Sequence, residues 1–175
     1  MEDRSKLASF EATILPHLGA AYNFAHWLLR NDSDAQDVVQ ETYLRAFRFF
    51  GGFHGGDSRS WLLTIARNAC YTWLQQNRSR ELMNPIDDAA EIAATDDANP
   101  ETLLLQRIDT ELLRNALEEL PIEFREVMVL REMEGLSYKE IAALTEVPIG
   151  TVMSRLARAR KRLQQTLAGR LNQEV

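Results

Sequence analysis

Cysteine is nearly absent from this chain. Cys70 stands alone, which excludes an internal disulfide framework and leaves a small side chain suited to packing within a helix. Histidine is scarce too, and His17, His26 and His54 have no metal-ligand spacing among themselves or with Cys70. No apolar run approaches the roughly 18–20 residues needed to span a bilayer. Glu2, Asp3, Arg4 and Lys6 break up the start, so no signal peptide is expected and a cytoplasmic location is. Alternating runs long enough for strands are missing. The glycine-rich stretch Gly51-Gly-Phe-His-Gly-Gly56 lacks the Lys-Ser/Thr ending and the preceding strand of a phosphate cradle. No nucleophile–base constellation offers itself, so the expectation is a binding protein rather than an enzyme, with no cofactor and no metal.

Cations are missing from one segment, and that absence organises the rest. Residues 81–106 hold no Lys or Arg but seven acids: Glu81, Asp87, Asp88, Glu91, Asp96, Asp97 and Glu101. Residues 1–80 carry a net charge of +1 and residues 107–175 a net of zero, so this segment alone accounts for the chain's −6. A net negative charge ordinarily argues against a nucleic-acid partner, but here the excess is local. With Pro85 and Pro100 and no long apolar stripe, the segment reads as an extended acidic linker. A short helix around Ala89–Ala94 is the one element it can offer.

Everything on either side reads as helix, giving an all-α chain of two small helical domains joined by that linker: residues 1–80, a linker at 81–104, and residues 105–175. In the first domain, Phe10–Leu29 is helical with an interruption near Pro16. The polar break at Asn31 to Ser33 precedes a helix at about Asp34–Phe50. Asp57 or Ser58 can cap another from about Arg59 to Gln76. The second domain is expected to be a four-helix helix-turn-helix unit. Leu105, Ile108, Leu112, Ala116 and Leu120 form one stripe. Pro121 can open the next helix, with Phe124, Val127, Met128 and Leu130 to bury. Gly135 suits the position past its end, with Leu136 folding back.

The last two helices carry the plainest chemistry. Ser137 with Glu140 makes a capping box and predicts a helix from Tyr138. Glu146 to Gly150 interrupts the pattern, and Pro148 suits the first turn of a new helix. Val152, Leu156, Ala159 and Leu163 share one side of that helix, while Met153, Ser154, Ala157, Arg158 and Lys161 fall elsewhere. From Val147 to Gln173 there are cations and no acids: Arg155, Arg158, Arg160, Lys161, Arg162 and Arg170. A cationic second helix after a capped helix and a tight turn is the layout that enters a DNA major groove.

Two further stretches are harder to assign to a core. On the helix at 34–50, Val38, Val39, Thr42, Ala46 and Phe50 account for the buried side. Leu44 projects among Asp37, Gln40, Glu41, Arg45 and Arg48, as an apolar anchor ringed by directional polar groups on a docking face, or as a stray leucine on a solvated one. The helix after the glycine loop carries Trp61, Ile65, Ala69 and Trp73 every four residues, a stripe expected in the core. Arg59, Asn68 and Tyr71 lie outside it. Cations and aromatics beside a flexible loop suit single-stranded nucleic acid, where bases stack on side chains and phosphates are neutralised.

Taken in order, the helix at 34–48, the helix at 58–80, the acidic linker and the Gly150–Arg160 helix resemble a bacterial RNA polymerase sigma factor of the extracytoplasmic-function class. Ala116-Leu-Glu-Glu-Leu-Pro121, Phe124-Arg-Glu-Val127 and Tyr138-Lys-Glu-Ile-Ala142 are similar as well. The resemblance covers about residues 10–165. It implies that Asp37, Gln40, Glu41, Leu44 and Arg45 dock on the clamp helices of the core polymerase β′ subunit. It implies that Phe53, His54, Asp57, Ser58 and Arg59, with Asn68 and Tyr71, read and hold the melted −10 element. It assigns the −35 element to Tyr138, Lys139, Gly150, Thr151, Met153, Ser154, Arg155, Ala157, Arg158 and Lys161, with the same domain touching the β flap. It implies an anti-sigma factor as a further partner, and a linker that threads the polymerase channel as an RNA mimic.

The chemistry of these residues is consistent with those roles. Thr151 and the free N–H groups of the helix start can hold a phosphate. Met153 and Ala157 cannot make bidentate pairs with a base, so their readout leans on van der Waals contact and DNA shape. Arg160, Lys161 and Arg162 suit phosphates or polymerase better than base edges. Two other readings share parts of this fold: a helix-turn-helix regulator that binds duplex DNA without polymerase, and a sigma-like interaction module that sequesters a partner.

Overall fold

The structure, a computed structural model, describes residues 2–83 and 110–173. Most of the acidic linker, the stretch Ala89–Ala94, and Leu105 and Ile108 of the predicted stripe lie outside the described residues. The described elements are helical throughout. In chain order they are α1 (Glu2–Ile14), a 3-10 turn (Leu15–His17), α2 (Leu18–Leu29), α3 (Asp32–Phe49), a 3-10 turn (Phe50–Gly52) and α4 (Ser58–Met83). There follow α5 (110–118), α6 (Ile122–Met128) running on into a π turn (Val129–Met133), α7 (Tyr138–Thr145) and α8 (Ile149–Gln173).

Helices α2, α3 and α4 pack on one another, and α1 crosses them. Phe10 of α1 is fully buried, and its ring meets Tyr43, Phe47 and Phe50 edge-on, each at 5.2 Å. That is the geometry in which the positive ring edge faces a negative ring face. Pro16 falls in the 3-10 turn, where its missing N–H breaks the helix between Ile14 and Leu18. Helix α3 starts two residues earlier than the sequence pattern predicts, because the first residue of the polar break, Asn31, is the cap. Its side chain accepts the Asp34 N–H at 3.0 Å. Arg30 before it adopts a left-handed conformation, φ 60°, to end α2.

The stripe on α4 is displaced from its predicted position. Leu62, Leu63, Ala66, Ala69 and Cys70 form the core face, while Trp61, Ile65 and Trp73 flank it half-buried. Strict spacing by fours advances about 40° beyond a full turn at each step, so four such residues cannot all face one core. Burial pushes the Cys70 thiol up to about 12, which keeps it an inert packing group.

In the second half, α6, α7 and α8 pack together. Gly135, at φ +68°, lets the chain double back so that the buried Leu136 donates its N–H to the Leu130 carbonyl at 3.0 Å. Ser137 accepts the Glu140 N–H at 3.1 Å and starts α7. Pro148 sits just ahead of α8 rather than inside its first turn, and its carbonyl accepts the N–H groups of Thr151 and Val152.

The halves also meet. Helix α2 lies against α6, α4 lies against α7, and one apolar core continues from Phe10 to Ala159.

Two glycine substitutions should move stability in opposite directions. Gly135→Ala places a Cβ on a left-handed backbone and should cost about 1–2 kcal/mol. Gly19→Ala, in an ordinary helical turn with open space around its Cβ, should gain about 0.5–1 kcal/mol. Urea unfolding of the two variants reads both signs.

Candidate nucleic-acid and partner interfaces

Helix α3 turns two different faces outward. Ala35, Val38, Thr42 and Ala46 point inward, and the buried Thr42 hydroxyl is satisfied by donating to the Val38 carbonyl at 2.7 Å. Asp37, Gln40, Glu41 and Arg48 are exposed around Leu44, which is 54% exposed. Arg45 is half-buried and donates from Nε to Glu41 at 3.0 Å, which sets its guanidinium one turn back along the helix. Phe47 and Phe49 are exposed at 43% and 58%. Phe47, one turn on from Leu44, borders this surface with its ring against Phe10, whereas Phe49 lies at the helix end about 140° around from Leu44.

The loop between α3 and α4 is built around aromatic stacking and one carboxylate. Phe53 stacks on Phe50 at 6.0 Å and tilts against Trp61 at 5.1 Å. Gly55 and Gly56 then take φ +91° and +96°, and the chain enters α4. Asp57 is the cap, with Oδ1 accepting from the Arg59 and Ser60 N–H groups and Oδ2 accepting from the Ser60 hydroxyl at 2.7 Å. Those bonds, the Ser60 hydroxyl first, hold its carboxyl below the usual aspartate range. Asp57 thus shapes the loop entrance, while His54 stays exposed. Ser58 shares a 3.0 Å hydrogen bond with His17 Nε2, tying the loop to the turn between α1 and α2. Asn68 is exposed on α4, two turns from Trp61.

Tyr71 is in a different situation from Asn68. Its hydroxyl donates to Glu126 Oε2 of α6 at 2.8 Å. Arg67 binds the other oxygen, Glu126 Oε1, and lies over the Tyr71 ring at 4.5 Å. The Glu126 side chain is completely buried. Burial, and then the Glu126 charge, raise the Tyr71 phenol well above its ordinary range. Burial alone would lower Arg67, but the Glu126 hydrogen bond and charge outweigh it and leave the guanidinium raised.

Arg125, only 4% exposed, donates to the carbonyls of Glu118, Leu120 and Leu28. Burial, and then the neighbouring Arg30 charge, bring it down to about 10, so it remains a cation at neutral pH. The sequence places Arg67 among the polar groups of α4 and Arg125 and Glu126 in the Phe124–Val127 motif, without pairing them. The available signal was a charged pair set between Phe124 and Val127, inside an apolar run.

Helices α7 and α8 form the predicted helix-turn-helix, with Glu146 in a left-handed turn, φ 58°. Val152, Leu156 and Ala159 are buried. Met153, Ser154, Ala157, Arg158 and Lys161 are exposed, as are Gly150 and Lys139. Thr151 and Arg155 are half-buried on the same helix. Tyr138 is half-buried beneath the Arg131 guanidinium at 4.6 Å. Arg160 pairs with Glu132 at 2.9 Å, so it offers less free charge than Lys161 or Arg162. At 25 residues, α8 is about 37 Å long, longer than a single pass across the major groove requires.

Among the described residues no His, Cys, Asp and Glu cluster could hold a metal, and no helix is long and apolar enough to cross a membrane.

Comparison with known proteins places both halves. Residues 13–80 match the family described as Sigma-70 region 2, and residues 110–163 match Sigma-70, region 4. The chain is 34% identical over 166 residues to the ECF RNA polymerase sigma factor SigE of Mycolicibacterium smegmatis, covering 95% of this chain but 64% of that protein. It is 36% identical over 135 residues to the ECF RNA polymerase sigma-E factor of Escherichia coli K12, covering 73% and 71% of the two chains. Among solved structures, the sigma factor RpoE of Bartonella quintana, in complex with the anti-sigma factor NepR, superimposes with a TM-score of 0.72 at 33% identity, over 91% and 97% of the two chains. CnrH superimposes at 0.66 with 24% identity, a likeness of fold. With both regions present in order and relatives of this similarity, the chain belongs to the ECF RNA polymerase sigma factors.

Proposed function

We propose that this chain binds core RNA polymerase, directs it to specific promoters and helps hold the −10 element open at the start of transcription. The observation that carries this reading is the pairing, in one chain, of two unlike outward surfaces. One is the α3 face, with Leu44 at 54% exposure among Asp37, Gln40 and Glu41. The other is a recognition helix whose Ser154, Ala157, Arg158 and Lys161 stand free of the core. A regulator of duplex DNA needs only the second.

On this reading, Asp37, Gln40, Glu41, Leu44 and Arg45 dock on the β′ clamp helices, with Phe47 at the border of the contact. Phe53, His54, Ser58, Arg59, Asn68 and Tyr71 hold unstacked bases of the −10 strand, and Asp57 fixes the loop that presents them. Each captured base gains about 1–3 kcal/mol of stacking, which offsets opening of the base pairs without any covalent chemistry. At the −35 element, Ser154, Met153, Ala157 and Arg158 face the bases. Thr151, Gly150, Arg155, Lys161, Tyr138 and Lys139 steady the backbone. The same domain meets the β flap. An anti-sigma factor is the expected inhibitor, a reading supported by the Bartonella relative having been solved with one.

Three outcomes test the reading. Purified protein with core polymerase should give transcripts from specific starts, whereas tight specific duplex binding without polymerase would favour a stand-alone regulator. The double variant Gln40→Ala/Leu44→Ala should lose polymerase in a pull-down while keeping its helical circular dichroism, and retained affinity would remove the docking assignment. A bidentate arginine–guanine contact contributes about 1–3 kcal/mol, so Arg158→Ala should cut promoter use about tenfold with core binding intact. Equal loss of both activities would argue against a DNA role for Arg158.

A further inference from the structure

Arg30 and Arg125 carry charge that the rest of the chain does not neutralise. Neither forms an ion pair among the described residues. Both donate from Nη1 to the same Glu118 carbonyl, Arg30 at 3.2 Å and Arg125 at 2.9 Å. Two guanidiniums gathered on one neutral oxygen repel each other, and the arrangement lacks an anion.

Arg125 is also short of acceptors. A guanidinium has five N–H donors. Nη1 of Arg125 donates to Glu118 and Leu120, and Nη2 donates to Leu28. Nε, in a side chain only 4% exposed, has no acceptor among the described residues. Buried donors in folded proteins are nearly always paired, so an orphan of this kind asks for a partner. Nε and Nη2 together form an edge that can grip a carboxylate through two parallel bonds.

A groove of about 510 Å³ runs past both arginines. Leu28 and Leu74 of the first half and Pro121 and Ile122 of the second give it apolar walls, and the exposed Gln75 marks its rim. Sites for small molecules commonly take this form, about 300–1,000 Å³ of largely apolar space with a few placed polar groups. Glu118 and Glu119 line the groove as well, but Glu119 is bound to Arg170. Two cations therefore face the one carboxylate of Glu118, an excess of a single positive charge.

From these observations we infer that the groove is a binding site for a small organic monocarboxylate with an apolar body. The carboxylate sits beside Arg30 and Arg125, and the body lies along Leu28, Leu74 and Ile122. The single excess charge matches a monoanion, whereas a phosphate monoester, at about −1.5 to −2, would exceed it and meet Glu118. Nε of Arg125 is closed to solvent, so side chains of the groove turn aside to admit the ligand. Arg30, exposed and held by one hydrogen bond, is free to do so. The site does not rest on the sigma reading.

The test titrates the full chain with decanoate, kept below its micelle-forming concentration, and reads heat and melting temperature. Decanoate should bind as a single molecule per chain and raise the melting temperature, as a ligand of the folded state does. Acetate lacks the apolar body and decanol lacks the charge, so each should bind at least about tenfold more weakly. Arg30→Met should weaken decanoate about tenfold, the size of one charge-assisted hydrogen bond. Gln75→Trp should weaken it similarly by filling the groove mouth while leaving the charges in place. In the unaltered chain, decanoate should shift the Arg125 Nε–H resonance.

Several molecules bound per chain, or an affinity unchanged in both variants, would put decanoate on exposed apolar surface and overturn the site. An unmoved Arg125 resonance would remove Arg125 from it. Acetate binding as tightly as decanoate would leave an adventitious anion only. Decyl phosphate binding as tightly would overturn the monoanion assignment. If Arg30→Met fails to fold, Gln75→Trp decides, since it alters only an exposed residue at the rim.

Discussion

Burying Arg125 and Glu126 side by side sets the condition under which the two halves can meet. An unpaired charge in a core costs several kcal/mol, so each of these groups must find partners before the seam can close. Glu126 finds them in Arg67 and Tyr71 of α4. Arg125 finds three carbonyls, one of which belongs to α2. Because each of them takes a partner from the opposite half, the pair fixes how α6 sits against α2 and α4. Apolar packing continues across the same seam, but apolar contact alone would tolerate many registers. The polar groups select one.

The same arrangement decides which surfaces remain available. The outward face of α3, from Asp37 to Arg48, lies away from the residues of the seam. The recognition helix also presents its Met153–Lys161 side outward, with its buried stripe against α6 and α7. The seam engages α2 through Asn23, Leu28 and Arg30 and α4 through Arg67 and Tyr71, and leaves the Leu44 face of α3 and the Met153–Lys161 side of α8 exposed.

Local signals in the sequence carried well into the structure. Asn31, Asp57 and Ser137 accept backbone N–H groups at helix starts, and Gly135 takes the left-handed turn that its place after an apolar run suggested. These features depend on a few neighbouring residues, which is why spacing reveals them. The exposure of Leu44 was legible for the same reason, since the helix period leaves it off the buried side. Two things were less legible. The α4 stripe was misplaced because Trp61 and Trp73 look like core residues, yet their size suits them to the flank of a tightly packed Ala66, Ala69 and Cys70 face. The seam was hidden because the partners of Glu126 lie more than fifty residues away, and no local pattern distinguishes a buried charge awaiting such partners from one on a solvated surface.

The central claim is that one chain carries two working surfaces, the Leu44 face of α3 for polymerase and the exposed side of α8 for duplex DNA. The most direct measurement is transcription from a mapped promoter by core polymerase supplied with the unaltered chain or with Gln40→Ala/Leu44→Ala. The account predicts specific starts with the unaltered chain and almost none with the double variant. Equal transcription from both would contradict it.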